Sequence, residues 1–317
     1  MKLGYRPDLD GLRAVAVLSV LLFHLNVPYV TGGIVGVHVF FVLSGFLITR
    51  ILAANAQGGR PALLDFYDRR IRRIFPALIV VLAFCAVVAI YLLLPDELSD
   101  FGASLGATTL SFSNFFFYAQ SGYFAPNADL QPLLHTWSLS IEEQFYFIFP
   151  LLLFWTATLD KDRQRLIIWG ILAASLVISI LRTEDHPEAS FFLLPSRAWE
   201  LLIGSVLALR FVPAPGRHWH REVAAALGIV LIAVGVFTYT KQTVFPGYAA
   251  LAPCIGAALF IWAGDLNPET GTLTSKLLGT PVLVFIGLIS YSLYLWHWPL
   301  IVFAKLLSTE GLTATHK

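Results

Sequence analysis

Long blocks of apolar residues, separated by short polar stretches, divide this chain into candidate membrane-spanning helices. About 20 apolar residues suffice to cross the hydrocarbon core of a bilayer as a helix. Because the apolar residues run in blocks and do not alternate with polar ones, the pattern predicts an all-α fold, a polytopic transmembrane bundle. We predict about nine spans, at 13–30, 34–52, 74–94, 139–157, 166–182, 196–211, 223–240, 248–263 and 281–304.

Composition supports a single integral-membrane domain over residues 1–317. The chain is 57% hydrophobic and 13% charged, with a mean hydropathy of +0.74, well above the soluble norm. Cys85 and Cys254 lie in apolar runs, which argues against a disulfide framework or a cysteine metal site. The chain has no HExxH motif, no cysteine cluster and no glycine-rich nucleotide loop, so we expect neither a metal nor a dinucleotide. We also expect no nucleic-acid partner.

The distribution of charge orients the predicted bundle. Basic residues concentrate on the cytoplasmic side of membrane proteins. Lys2, Arg6 and Arg13 therefore place the N-terminus in the cytoplasm, and the arginine-rich loop after the second span agrees with this. The acidic turn at 96–100 then falls outside. Membrane lipid is accordingly an expected partner along the whole bundle.

Residues 101–124 are semi-polar and rich in Gly, Ser and aromatic side chains. If this segment crossed the membrane, the basic loops at 161–165 and 210–221 would lie outside. We therefore predict a re-entrant segment that lines a cavity, where irregular backbone at membrane depth is tolerated.

Arg13 and His24 are the most unusual polar residues in the chain, because they flank an apolar stretch within one predicted helix. On an α-helix they lie about 16 Å apart along the axis and about 20° from the same face. A cation and an imidazole inside a membrane helix indicate a functional site. The alternative is an arginine that snorkels to the interface and a histidine that only packs.

The run FYDRRIRRIFP places a basic patch at the start of the third span. Arg69, Arg70 and Arg73 stand at i, i+3 and i+4 spacings, so a helix brings them to one face. Guanidinium groups bind phosphate through paired N–H donors, which suggests an anion site. The alternative is that the arginines only fix the topology of the span.

The segment LLHTWSLSIEEQFY opens the fourth predicted span and holds several polar residues near the outer boundary. Ser140 followed by Glu143 fits a helix capping box. That leaves His135, Trp137 and Glu142 without a structural explanation, and makes them candidate site residues.

Four further residues have structural and functional interpretations. Arg197 and Glu200 stand at i, i+3, which favours an internally neutralised pair. His297 lies between two tryptophans, and packing in an aromatic belt is the simpler interpretation. His38 starts the second span across a short turn from His24, so the two histidines are expected to share a cavity.

Taken together, these motifs resemble the membrane-bound acyltransferase-3 family, in the bacterial branch that O-acetylates surface polysaccharides. The resemblance covers almost the whole chain. Its first block pairs an arginine or lysine with a histidine across ten residues, as Arg13 and His24 do. The other matching blocks are GVHVFFVLSGFLIT, FYDRRIRRIFP with Arg69, Arg70 and Arg73, LLHTWSLSIEEQFY with Trp137, Ser138, Glu142, Phe145 and Tyr146, and ISYSLYLWHWPL.

The resemblance implies transfer of an acyl group, acetyl in the simplest case, from cytoplasmic acetyl-CoA to a hydroxyl of a periplasmic or undecaprenyl-linked glycan such as O-antigen. It implies a multi-pass protein of the bacterial inner membrane. We expect His24 and Arg13 to be catalytic and the arginine patch to bind the donor. Trp137, Glu142, His38 and Ser140 are expected on the acceptor side.

Two departures from the family pattern qualify these expectations. Family members usually have aspartate where this chain has His38, so no acidic role is carried over to that position. Members also usually continue with a further span, often followed by an SGNH-hydrolase-like domain, so we expect this chain to be truncated at its C-terminus.

Two other classes of function compete with acyl transfer. A transporter of a small anionic or acyl-bearing solute would line its path with the same polar residues, but it predicts two similar halves, and the sequence shows none. A purely structural membrane protein would not need Arg13 and His24 on one face.

Overall fold

A computed structural model of the protein describes residues 4–55, 59–121, 128–264 and 271–314. All regular secondary structure in these ranges is helical, which confirms the predicted all-α class. The helices are α1 Pro7–His24, α2 Val35–Asn55, α3 Gly59–Leu92, α4 Pro95–Thr109, α5 Ser113–Ala119, α6 Thr136–Thr156, α7 Lys161–Arg182, α8 Pro187–Phe192, α9 Ala198–Ala208, α10 His218–Thr238, α11 Leu251–Ala263, α12 Leu273–Leu278, α13 Pro281–Leu288 and α14 Ser290–Ala314.

Four of the described helices, α2, α3, α7 and α10, are long and apolar enough to cross a bilayer. Helices α13 and α14 give a fifth if they are counted as one span bent by 63°. Helices α9 and α11 are apolar but have only 11 and 13 residues, or about 16 to 20 Å at 1.5 Å per residue. The prediction of nine spans is therefore not confirmed.

Helices α1 and α6 have 18 and 21 residues but carry charged side chains. Asp8, Asp10 and Arg13 lie in the first two turns of α1, and Glu142 and Glu143 lie in α6. Charged groups in a membrane bundle face its interior, where they can be paired. Both helices contribute polar residues to the site described below.

The predicted re-entrant segment is built as two helices, α4 and α5. The break between them falls at Leu110–Phe112, where Ser111 has a positive φ of 60°. A left-handed residue interrupts helical hydrogen bonding, so the chain turns there. Whether the segment returns without crossing the membrane stays a prediction, and its last residues, 122–124, lie outside the described ranges.

Helix α2 lies at the centre of the bundle, since 67% of its 18-residue apolar stretch is buried, compared with 22% for α7. It crosses α9 at very short range. A Cβ at Gly45 would lie 1.8 Å from the carbonyl oxygen of Leu201, and one at Gly204 would lie 2.0 Å from that of Val42. Only glycine fits such a contact, which is typical of small-residue packing between membrane helices.

Candidate active site

The arginine patch at the start of α3 borders a cavity of about 350 Å³. Arg69, Arg70 and Arg73 all line it, as the helical spacing predicts, and Arg13 of α1 lines it from another side. Leucine, isoleucine and phenylalanine side chains of α2 and α3 form much of the remaining wall. The cavity thus combines four guanidinium groups with an apolar lining.

The three arginines of the patch differ in how they are held. Arg70 is mostly buried: it donates to Glu143 Oε1 at 3.2 Å, and its guanidinium carbon lies 3.4 Å from the centre of the Tyr146 ring. Arg69 is 59% exposed and pairs with Asp65 one turn earlier. Arg73 is exposed and has no ion-pair partner among the described residues.

Arg13 is 15% exposed and lies 3.6 Å from Asp10 on its own helix. That contact is too long for a good hydrogen bond, so the guanidinium retains donors for a ligand. Its charge is also repelled by that of Arg73 and attracted by that of Glu142. The Arg13 head group is therefore electrostatically part of the same cavity.

Glu142 lies in the wall of the cavity and accepts two hydrogen bonds. Ser44 of α2 donates to Oε1 at 2.9 Å, and Tyr146 donates to Oε2 at 2.9 Å. The carboxylate therefore links α2 to α6. The sequence did not indicate Ser44 as a site residue, because an isolated serine in an apolar run carries no pattern.

A chain of hydroxyl groups closes the side of the cavity formed by α4, α5 and α6. The Ser140 and Ser113 hydroxyls lie 2.7 Å apart, and Thr136 bridges Ser113 and Thr108 at 3.0 Å each. Helix α6 begins at Thr136, one turn before Ser140. The predicted capping box at Ser140 and Glu143 is therefore wrong, because both residues are interior to the helix.

The family model described as an acyltransferase domain matches residues 6–313. The chain belongs to the acyltransferase-3 family. It is 34% identical over 324 residues to Putative O-acetyltransferase SAS0844 of Staphylococcus aureus (strain MSSA476). It is 33% identical over 321 residues to O-acetyltransferase OatA of Staphylococcus aureus (strain NCTC 8325 / PS 47).

These alignments cover 98% and 97% of this acyltransferase-3 chain. They cover 53% and 52% of the two relatives, so the chain spans about half the length of the curated relatives it matches. No solved structure matches the chain at a significant level.

In this acyltransferase-3 chain, His24 lies at the end of α1 and is not among the described residues that line the cavity. Its Nδ1 lies 3.1 Å from Nε2 of His297 on α14, and Trp298 contacts its ring edge-on at 4.7 Å. His135 packs against His297 with ring centres 5.6 Å apart. We call His24, His135 and His297 the histidine trio.

The trio changes the interpretation of His297. His297 is buried, and its Nε2 lies within hydrogen-bond distance of Nδ1 of His24, a polar contact that the aromatic-belt interpretation does not include. No sequence pattern indicates this contact, because His24 and His297 are 273 positions apart in the chain. Tyr294 lines the cavity and bonds Ser138 at 2.6 Å, which places the trio directly behind the cavity wall.

His38 lies in a second group of polar residues, away from His24. Its Nδ1 lies 2.7 Å from Glu200 Oε2, and Arg197 donates to Glu200 Oε1 at 3.0 Å. All three side chains are at most 2% exposed. The predicted Arg197–Glu200 pair is confirmed, and we call His38, Arg197 and Glu200 the closed cluster.

Trp137 is buried between the closed cluster and the cavity. The guanidinium of Arg197 lies 5.3 Å from its ring centre, and the Phe191 ring lies 4.5 Å away. Its neighbours Thr136 and Ser138 line the cavity, whereas Trp137 itself does not. Of the four predicted acceptor residues, the structure brings Glu142 and Ser140 to the cavity, with Trp137 behind its wall and His38 in the closed cluster.

The closed cluster also contains groups that could bind a metal. Ligand-type atoms of His38, Glu200 and Cys254 lie within 4.8 Å of one another. Both carboxylate oxygens are already used, however, by His38 and by Arg197. A divalent cation would have to compete with the guanidinium charge, so this arrangement fits an ion pair better than a metal centre.

Proposed function

We propose that this chain transfers an acyl group from acyl-CoA to a hydroxyl group of a glycan or lipid-linked sugar. The cavity lined by Arg13, Arg69, Arg70 and Arg73 carries the proposal, because CoA is a phosphate-rich donor with a long uncharged arm. Guanidinium groups suit its phosphates, and the apolar wall suits the arm and the acyl group. The names of the relatives favour acetyl as the group transferred.

Arg73 and Arg69 are the proposed first contacts of the donor. Arg73 is exposed without an ion-pair partner in the described chain, and Arg69 is paired only on the surface, where exchange of one anion for another costs little. Arg70 is fixed by Glu143 and Tyr146, so it can present its remaining donors in a constant direction. The patch thus combines mobile and fixed positive charges.

The proposed chemistry uses His24 as the general base. The acceptor hydroxyl oxygen attacks the thioester carbonyl carbon, its proton passes to a ring nitrogen of His24, and the carbon–sulfur bond breaks to release CoA, which takes up a proton as the thiol. Arg13 lies about 16 Å from His24 along the axis of α1. It orients the donor and stabilises the donor's negative charge. Glu142 and Ser140 shape the acceptor side, and Trp137 supports them from behind the wall.

We expect the donor cavity to open to the cytoplasm of a bacterial inner membrane, with the acceptor reached from the periplasmic side. The basic residues of the N-terminus and of the α3 start support this orientation by the positive-inside rule. Acyl transfer would then be vectorial, and O-antigen is one glycan of the expected class.

The proposal is tested with purified protein in liposomes supplied with labelled acetyl-CoA and a hydroxyl-bearing glycan. We expect release of free CoA thiol that requires both donor and glycan, and labelled glycan by mass spectrometry. Acetyl-pantetheine, which lacks the nucleotide phosphates, should show a KM at least about tenfold higher, or about 1.4 kcal/mol of lost binding. Glycans from cells with and without the gene provide the matching test in vivo.

A different result would favour transport. If labelled donor accumulated inside the liposomes without thiol release, the residues that line the cavity would form a solute path, and the acyl-transfer proposal would be wrong. Equal KM values for acetyl-CoA and acetyl-pantetheine would remove the assigned role of the arginines while leaving the reaction class intact.

A further inference from the structure

The contact between His24 and His297 joins two imidazole rings that are 273 positions apart in the chain. Nδ1 of His24 lies 3.1 Å from Nε2 of His297, and the rings are inclined by 25°. At this distance one nitrogen must carry the proton and the other must accept it. Which nitrogen donates decides where the lone pair of His24 lies.

The second nitrogen of His297 settles that question. Its Nδ1 lies 2.7 Å from the backbone carbonyl oxygen of Tyr294, one turn earlier on α14. A carbonyl oxygen has no proton, so Nδ1 of His297 must be the donor in this contact. The His297 ring is buried, where a second proton and its charge would be costly, so the ring is neutral and its Nε2 carries a lone pair.

His24 must therefore donate from Nδ1 to Nε2 of His297. A neutral His24 ring that is protonated at Nδ1 has its lone pair on Nε2. We propose that His297 is a positioning residue that fixes the tautomer of His24 and so leaves Nε2 of His24 as the proton-accepting atom. This inference rests on the proposed role of His24 as general base.

His297 plays the part that the carboxylate plays in a catalytic triad. There, a hydrogen bond to one nitrogen of the histidine ring leaves the other nitrogen able to accept a proton. Here the orienting chain consists of a neutral imidazole and a backbone carbonyl in place of a carboxylate. Such a chain suits a membrane interior, because it sets the tautomer without a buried charge. Trp298 adds to the orientation: its ring abuts His24, and its Nε1 donates to the carbonyl oxygen of Gln131 at 2.8 Å.

Two substitutions at one position separate this role from simple packing. In His297→Gln the amide oxygen can reach the place of Nε2 and accept from His24. In His297→Leu a similar volume is filled without an acceptor. We expect His297→Leu to lower kcat by about 10²- to 10⁴-fold, the range for loss of a correctly oriented base, with little change in KM for acetyl-CoA. His297→Gln should recover most of that loss.

Nuclear magnetic resonance of protein with ¹⁵N-labelled histidine reads the tautomer directly in lipid bilayers. The chain has 8 histidines, and the His24 signals are those lost in a His24→Ala sample. We expect a protonated Nδ1 and an unprotonated Nε2 at His24 in the wild type and in His297→Gln, and the reverse in His297→Leu. His135→Leu, which removes another buried ring of the histidine trio but not this hydrogen bond, should leave the His24 tautomer unchanged.

The wild-type spectrum is decisive even if a variant does not fold. A proton on Nε2 of His24 in the wild type would overturn the inference, as would an unchanged tautomer in folded His297→Leu. A His297→Gln protein with the expected tautomer but the low kcat of His297→Leu would show that the tautomer is not what His297 contributes. If instead His24→Ala retained transfer, the proposed base role would fail while the tautomer assignment still held.

Discussion

The closed cluster and the histidine trio each contain a histidine that the sequence placed at the site, but they use it differently. His38 bonds a carboxylate that also holds Arg197, and all three side chains are essentially inaccessible to solvent. His24 is only half-buried, and its partner is another neutral ring. In the first arrangement both oxygens of Glu200 are hydrogen-bonded, whereas in the second Nε2 of His24 has no hydrogen-bond partner among the described residues.

This difference indicates how to distinguish structural from reactive polar groups in a membrane bundle. A buried ion pair whose charges neutralise one another contributes to packing, and the loss of one member is very costly because the other charge is left buried. A side chain that uses one of its polar atoms for a structural hydrogen bond and keeps another for a reactant can take part in chemistry, and its substitution costs little stability. Substitutions in the two regions should therefore affect different measured quantities.

The largest expected effect is on the reaction rate in the His24→Ala variant. Loss of a general base should lower kcat about 10²- to 10⁴-fold. Thermal unfolding in detergent should change little, because the ring is half-buried and bonded to one neutral partner. A folded His24→Ala protein with near-normal transfer would remove the contrast between the two histidines.

Glu200→Ala should produce the largest loss of stability. It leaves the Arg197 guanidinium buried without its carboxylate, which costs about 3 to 5 kcal/mol. Thermal unfolding measures this as a fall in Tm, and Glu184→Ala in the exposed turn before α8 is the control, with an expected change within about 0.5 kcal/mol. An unchanged Tm in Glu200→Ala would mean that the closed cluster is not a structural unit.

The smallest expected effect comes from Arg69 and Arg72, which form matched surface pairs with Asp65 and Asp68 one turn earlier. Of these two arginines, Arg69 lines the cavity and Arg72 does not. Each Arg→Gln change should alter stability by less than about 1 kcal/mol. Arg69→Gln should raise KM for acetyl-CoA several-fold, and Arg72→Gln should not.

Equal KM changes in the two arginine variants would point to a general charge effect and not to a contact with the donor. Membrane orientation is checked in both variants with an impermeant thiol reagent and a cysteine introduced at Pro95, because Cys85 and Cys254 are buried and these arginines also contribute to topology.

The sequence predicted the parts of the fold and site that depend on local spacing. Apolar blocks predicted helices, the i, i+3 rule predicted the Arg197–Glu200 pair, and the same rule predicted the common face of the arginine patch. Contacts between distant segments carry no such signal. His38 and Glu200 are 162 positions apart, so their hydrogen bond follows from the crossing of α2 and α9 and not from any motif.

Local patterns also misled in two ways. The serine and glutamate of a capping box occur inside α6, where the same spacing simply places Ser140 and Glu143 about one turn apart. Apolar composition alone overstated span length, because α9 ends after 11 residues. In both cases the position of a helix end, which tertiary packing decides, was missing from the sequence.

The crossing of α2 and α9 at Gly45 and Gly204 has a consequence for engineering this protein. Either position changed to alanine would push a methyl group into the opposing backbone, so neither tolerates variation. A library designed to alter donor or acceptor choice should therefore keep both glycines fixed. It should place its diversity in the residues of α3 that line the cavity, because α3 contributes neither glycine of this crossing.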